Sequence, residues 1–133
     1  MDNDLKIKMF AFTLDCKDSH ELASFYAALL NLEKGSNDDG WVWVAEPDKY
    51  PFILFQQNPE YKPPVWPEIP EAQQQMAHID FAVNDLEQAV QHAIKCGAKV
   101  APEQFSDKWR VMIDPAGHPF CLCPKKTIFA LDS

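Results

Sequence analysis

One pattern occurs twice in this chain, and that repetition restricts the fold more than any other feature. AFTLDCKD at 11–18 lines up with HIDFAVND at 78–85, an offset of 67. WVWVAEPDKYPFILF at 41–55 lies without gaps on WRVMIDPAGHPFCLC at 109–123, an offset of 68. Within the second pair of blocks Trp41/Trp109, Pro47/Pro115, Pro51/Pro119, Phe52/Phe120 and Leu54/Leu122 are identical. Two collinear blocks with nearly equal offsets indicate a duplicated unit, with a one-residue indel of the size that loops absorb.

Each copy reads as strand, helix, then a strand–turn–strand hairpin. Phe12/Leu14/Cys16 and Ile79/Phe81/Val83 alternate as strands with one buried face do. Asp18 with Glu21 and Asp85 with Gln88 are helix N-cap signals, in which a carboxylate accepts from orphan backbone N–H groups. Leu22, Phe25, Tyr26 and Leu29 recur at helical spacing, as do Leu86, Ala89, Val90 and Ala93. The helices are expected to end near Asn31 and at Gly97, residues that tolerate a left-handed cap. The acidic-Pro pairs Glu46-Pro47 and Asp114-Pro115 mark the hairpin turns.

Between the copies, NPEYKPPVWPEIPEAQQQ (58–75) holds five prolines. Proline removes ladder donors and fixes φ, so this is an extended connector. Tyr61, Val65, Trp66 and Ile69 are too apolar for a free tether and predict a segment lying on a surface or across a subunit interface. The expected organisation is a single domain, 1–133: module one at about 6–58, connector 59–76, module two 77–124, and a tail, 125–133.

A length of 133 residues and a hydrophobic fraction of 47% suit one folded domain with a core of its own. No apolar run approaches a membrane span, and MDNDLKIK lacks the pattern of a secretory signal, so a cytoplasmic protein is expected. A formal charge of −8 disfavours nucleic acid and anionic membranes, and no basic cluster exceeds Lys125-Lys126. The four cysteines include no C-x-x-C pair and read as thiols.

HIDFAVNDLEQAVQHAIKCGAKV followed by WRVMIDPAGHPFCL, and LDCKDSHELASFYAALLNLE in the first copy, resemble the vicinal-oxygen-chelate superfamily of glyoxalases, bleomycin-resistance proteins and dioxygenases. With the PPVWP connector the match is nearest to its glyoxalase-like domain group and covers roughly 10–124. The resemblance implies an α+β fold of two tandem βαβββ modules, forming a curled mixed sheet around a shared cavity and commonly completed by a homodimer.

It also implies four metal-ligand positions, at the first and closing strands of each module. Here they fall on His78 and Cys121 in the second module and on Ala11 and Ile53 in the first, with Gln56 or Gln57 if the strand is shifted. That inventory is poor, because alanine and isoleucine cannot coordinate and a stable site normally takes three protein ligands. No metal or other cofactor is expected, with His78, Gln56 and Cys121 as weak candidates.

Strand alternation puts His78, Asp80 and Ala82 on the cavity side. His78 and Asp80 read equally as a hydrogen-bonded pair or as ligand-binding groups, His78 then carrying a proton near neutrality. Arg110 could hold an anionic ligand, pair with Asp80 or sit at an exposed edge. Trp43 and Trp109 either line the pocket or fill core, and the face of their strands that meets the cavity stays open. The candidate ligand-binding set is thus His78, Asp80, Gln56, Trp43, Trp109, Arg110 and Cys121. No phosphate loop, G-x-S-x-G or H-E-x-x-H is present, and Cys121 in an apolar FCLC strand is a poor nucleophile.

The reading this favours is a metal-free small-molecule-binding protein with its cavity between the modules. The alternative is a glyoxalase-type lyase, isomerase or dioxygenase with a degenerate metal site. A third, an interaction module docking through the Pro/aromatic connector, is allowed because fold does not fix function.

Overall fold

The computed structural model describes residues 4–124; Lys125-Lys126 and the rest of the expected tail lie outside the described residues. The chain divides into two compact units at Pro59/Glu60, each holding one βαβββ module.

In the first unit the order is β1 (Ala11–Cys16), α1 (Ser19–Leu30), β2 (Glu33–Ser36), β3 (Val42–Ala45) and β4 (Phe52–Gln57). The four strands form one open mixed sheet in the order β1-β4-β3-β2, with β1 parallel to β4. The side chain of Asp18 accepts from the backbone N–H of Glu21 at 3.0 Å and starts α1, as the cap pattern predicts. Asn31 takes a left-handed conformation, φ 54°, and ends it. Leu22, Ala23, Phe25 and Tyr26 form the buried stripe, and Tyr26 stacks on Phe55 of β4 with ring centroids 5.8 Å apart. Each such ring contributes about 1.5–3 kcal/mol by leaving water.

The second unit repeats this with β5 (Ile79–Val83), α2 (Leu86–Cys96), β6 (Lys99–Val100), β7 (Arg110–Ile113) and β8 (Pro119–Pro124). Its sheet runs β5-β8-β7-β6, again with the first and last strands parallel. Asp85 caps α2 through the Gln88 N–H at 3.0 Å, and Gly97 closes it at φ 122°. Phe81 meets Phe120 edge-on in the layer beneath the helix.

The ladders relocate the one-residue difference between the copies. Trp43 pairs with Leu54 in the first unit, whereas Val111 pairs with Cys121 in the second. The gapless match of 41–55 on 109–123 therefore breaks inside the hairpin, where 46–51 connects β3 to β4 but the shorter 114–118 connects β7 to β8. Because side chains alternate along a strand, one residue reverses the faces. Phe52 shares a face with Trp43 and Ala11, whereas its sequence match Phe120 lies on the helix side with Phe81. By register the true counterpart of Cys121 is Leu54, and that of His78 is Ala11.

The shorter turn is closed by buried Asp114, whose Oδ1 accepts from the backbone N–H of Ala116 and of His118, both at 2.9 Å. The Pro-rich connector folds onto the second unit. Tyr61 donates its hydroxyl to the Ala116 carbonyl at 2.6 Å, Val65 N–H donates to the Gln73 carbonyl, and Pro63 lies against Gly117. A Cβ at Gly117 would come within 2.8 Å of the Pro63 side chain, and φ is +96° there, so glycine is required twice over. Among the described residues no helix is long and apolar enough to cross a membrane.

Candidate ligand-binding site

His78, at the entry to β5, and Asp80, within it, point to the sheet face away from α2, because Ile79 and Phe81 take the covered side. Asp80 is the register partner of Cys121 in the parallel ladder, and Cys121 is that of Val111 in the next strand. Sheet geometry thus brings Cys121 beside Asp80, from which it is far in sequence. His78 Nε2 lies 3.2 Å from Asp80 Oδ1, with the two side chains 36% and 48% exposed. Cys121 is 8% exposed, and its thiol is pushed up to about 12, first by burial and then by the charge of Asp80 and a hydrogen bond to it. Cys123, two residues on and facing the same way, is raised by burial and by Asp80 as well.

These groups form the polar floor of a pocket of about 350 Å³ whose walls are Trp66, Phe105, Trp109 and Val111. Trp66 comes from the connector; its ring sits 6.5 Å from that of His78 and meets Phe105 edge-on at 5.9 Å. Beneath, Trp66, Trp109 and Ile113 pack on Ala101, Val111, Cys121 and Cys123. Trp66 and Phe105 were absent from the sequence-derived set. The aromatic connector hinted at Trp66, but nothing in the sequence around Phe105 marks it.

The remaining candidates are not among the residues lining this pocket. Arg110 shares the helix-side face with its partner Leu122, and its guanidinium is held 2.8 Å from Glu87 of α2. Its ion-pair partner is thus Glu87 and not Asp80, and it is not among the residues lining this pocket. Gln56 belongs to the first unit, exposed at the end of β4 beside Asp15. Gln57 turns the other way and accepts from Ser19 at the start of α1. Trp43 lines a separate pocket of about 420 Å³ with Phe10, Asn37, Trp41, Phe52 and Leu54, and it stacks on Phe52 at 6.4 Å. Odd-numbered residues of β3 and β7 therefore face the pockets in both units. In the first unit Ala11, Thr13 and Leu54 stand where the second has His78, Asp80 and Cys121, so the polar floor exists in one copy.

The family's chemistry raises the question of a metal, and the donors answer part of it. One imidazole nitrogen, one carboxylate oxygen and one sulfur lie within 4.8 Å of one another. A tetrahedral ion with bonds of about 2.0–2.3 Å holds its ligands at about 3.3–3.8 Å, so a contraction of about 1 Å completes a three-ligand set with one open position. Asp80, not counted among ligands in the sequence, supplies the third donor. The residues fit a zinc-type ion, which when bound would supply Lewis-acid polarisation of a substrate oxygen.

A model of the glyoxalase-like domain matches residues 11–123, and the chain belongs to that family. Solved structures share its fold. Trypanothione-dependent glyoxalase I of Leishmania major superposes with a TM-score of 0.67 at 18% identity, covering 94% of this chain and 91% of that one. The fosfomycin resistance protein FosX of Listeria monocytogenes gives 0.63 at 14% identity, with 89% and 93% covered. A hypothetical protein from S. aureus gives 0.62 at 20% identity, with 89% and 97% covered. Curated protein sequences yield no match. The two modules and their open mixed sheets are the fold that these solved structures share with the chain.

Proposed function

We propose that this chain is a metal-free small-molecule-binding protein whose site is the second-unit pocket. The observation that carries the reading is an apolar, aromatic-walled concavity converging on a few polar groups, the usual make-up of a small-ligand site. The metal-free part rests on the floor's own bonding. Asp80 already pairs with His78 at 3.2 Å, so two of the three donors are engaged with each other. A metal needs the thiolate, and a thiol pushed up to about 12 gives up its proton reluctantly. We include in the proposal a cytoplasmic protein, in keeping with four cysteines that are all thiols. We include a homodimer, supported by Leu5, Ile7 and Met9, which alternate with lysines and stand exposed.

The spacing of the three donors favours one second reading, a metal-dependent glyoxalase-type lyase, isomerase or dioxygenase. Elemental analysis of untagged protein, with zinc, manganese, nickel and iron titrations of wild type and His78→Ala, separates the two. Less than about a tenth of an equivalent of metal, with no saturable uptake, is the expected result. Near-stoichiometric metal that His78→Ala loses would replace the binder reading with the enzyme reading.

A further inference from the structure

The electrostatics of the pocket narrow its ligand to one class. Among the described residues its lining contains one carboxylate, Asp80, one imidazole, His78, 3.2 Å from it, and no lysine or arginine. The nearest arginine in sequence, Arg110, is turned to the opposite face and held by Glu87 at 2.8 Å. Three aromatic side chains, Trp66, Phe105 and Trp109, line the same pocket.

Three kinds of guest fare differently here. An anion would meet Asp80 with no lysine or arginine among the described lining residues to offset the repulsion, and with the imidazole of His78 already turned to Asp80 at 3.2 Å. A neutral apolar molecule would desolvate a carboxylate that is 48% exposed and give nothing back. A cation with an apolar body gains the carboxylate and the negative faces of the surrounding rings together. The chain's net charge of −8 adds long-range attraction of the same sign.

We infer that the pocket selects organic cations, a protonated or quaternary amine carrying an aromatic or aliphatic body that lies against Trp66, Phe105 and Trp109. The inference rests on the pocket being a small-molecule site, and it excludes phosphonates and carboxylates as ligands. Aromatic faces suit a quaternary ammonium, which has no proton to donate. A protonated amine would add hydrogen bonds to the Asp80 oxygens.

The test uses full-length ¹⁵N-labelled protein and three matched probes: benzyltrimethylammonium, benzyl alcohol and phenylphosphonate. The indole N–H resonances of Trp66 and Trp109 report this pocket, and those of Trp41 and Trp43 serve as the control. Benzyltrimethylammonium is expected to move the first pair and to bind at least tenfold tighter than either other probe. Asp80→Asn should remove most of that preference and leave benzyl alcohol unchanged, whereas Arg110→Ala should keep the wild-type ratio. Should Asp80→Asn fail to fold, the wild-type affinity ratio and its weakening by added salt decide alone. Benzyl alcohol or phenylphosphonate binding as tightly as the cation would overturn the inference and leave the pocket reading intact. Failure of all three probes to move Trp66 or Trp109 would sink both.

Discussion

Asp80 and Cys121 stand opposite each other in the parallel β5–β8 ladder, and burial together with the Asp80 carboxylate pushes the Cys121 thiol up. A thiol with burial above it and a carboxylate beside it stays neutral where an ordinary cysteine would begin to ionise.

Stability should therefore fall in the alkaline range because of Cys121. Its ordinary value is 9.0 and its folded value about 12, so the folded state holds the proton more tightly than the unfolded one. The contribution is complete below pH 9 and is lost as pH rises toward 12. Urea midpoints measured from pH 8 to pH 11 should drop more steeply for wild type than for Cys121→Ala, and parallel curves would refute the assignment. Asp80→Asn should bring the thiol part of the way down, leaving the burial component, and so speed iodoacetamide alkylation at pH 9.

Gly117→Ala tests the connector's seat. The added methyl would meet Pro63 at 2.8 Å, on a backbone with φ +96°. A loss of about 1–3 kcal/mol is expected from strain alone. Limited proteolysis should cut 60–72 faster in the variant, and an unchanged cleavage pattern would mean that the contact does not hold the connector down.

Arg110→Ala should be mild. Its partner Glu87 is a largely exposed helix residue, and pairs of that kind are worth about 0–1 kcal/mol. Chemical denaturation should register no more than that, and probe affinities at the second-unit pocket should not move. A tenfold change in affinity would place Arg110 in the site after all.

Self-association is the fourth expectation. Sedimentation velocity at micromolar concentration should give a dimer, and substituting Ile7 and Met9 together by serine should shift it toward monomer. Only monomer in the wild type would remove the dimer from the proposal.

The sequence by itself determined the units of the fold. The two caps, Asp18 and Asp85, and the two helix ends, Asn31 and Gly97, are local signals, written in residues three or four positions apart. Alternation placed His78 and Asp80 on one face, and duplication announced two modules. Strand pairing is different, because its register is set across turns and, for β1–β4 and β5–β8, between residues distant in sequence. Only the tertiary structure placed the extra residue inside the 46–51 turn, which sends Phe52 and Phe120, identical in a gapless alignment, to opposite faces. Only it brought Cys121 to Asp80, turned Arg110 to Glu87, and drew Trp66 and Phe105 over the floor. A site built from register and from a folded connector has no local signature, since its members meet only after the sheet has formed.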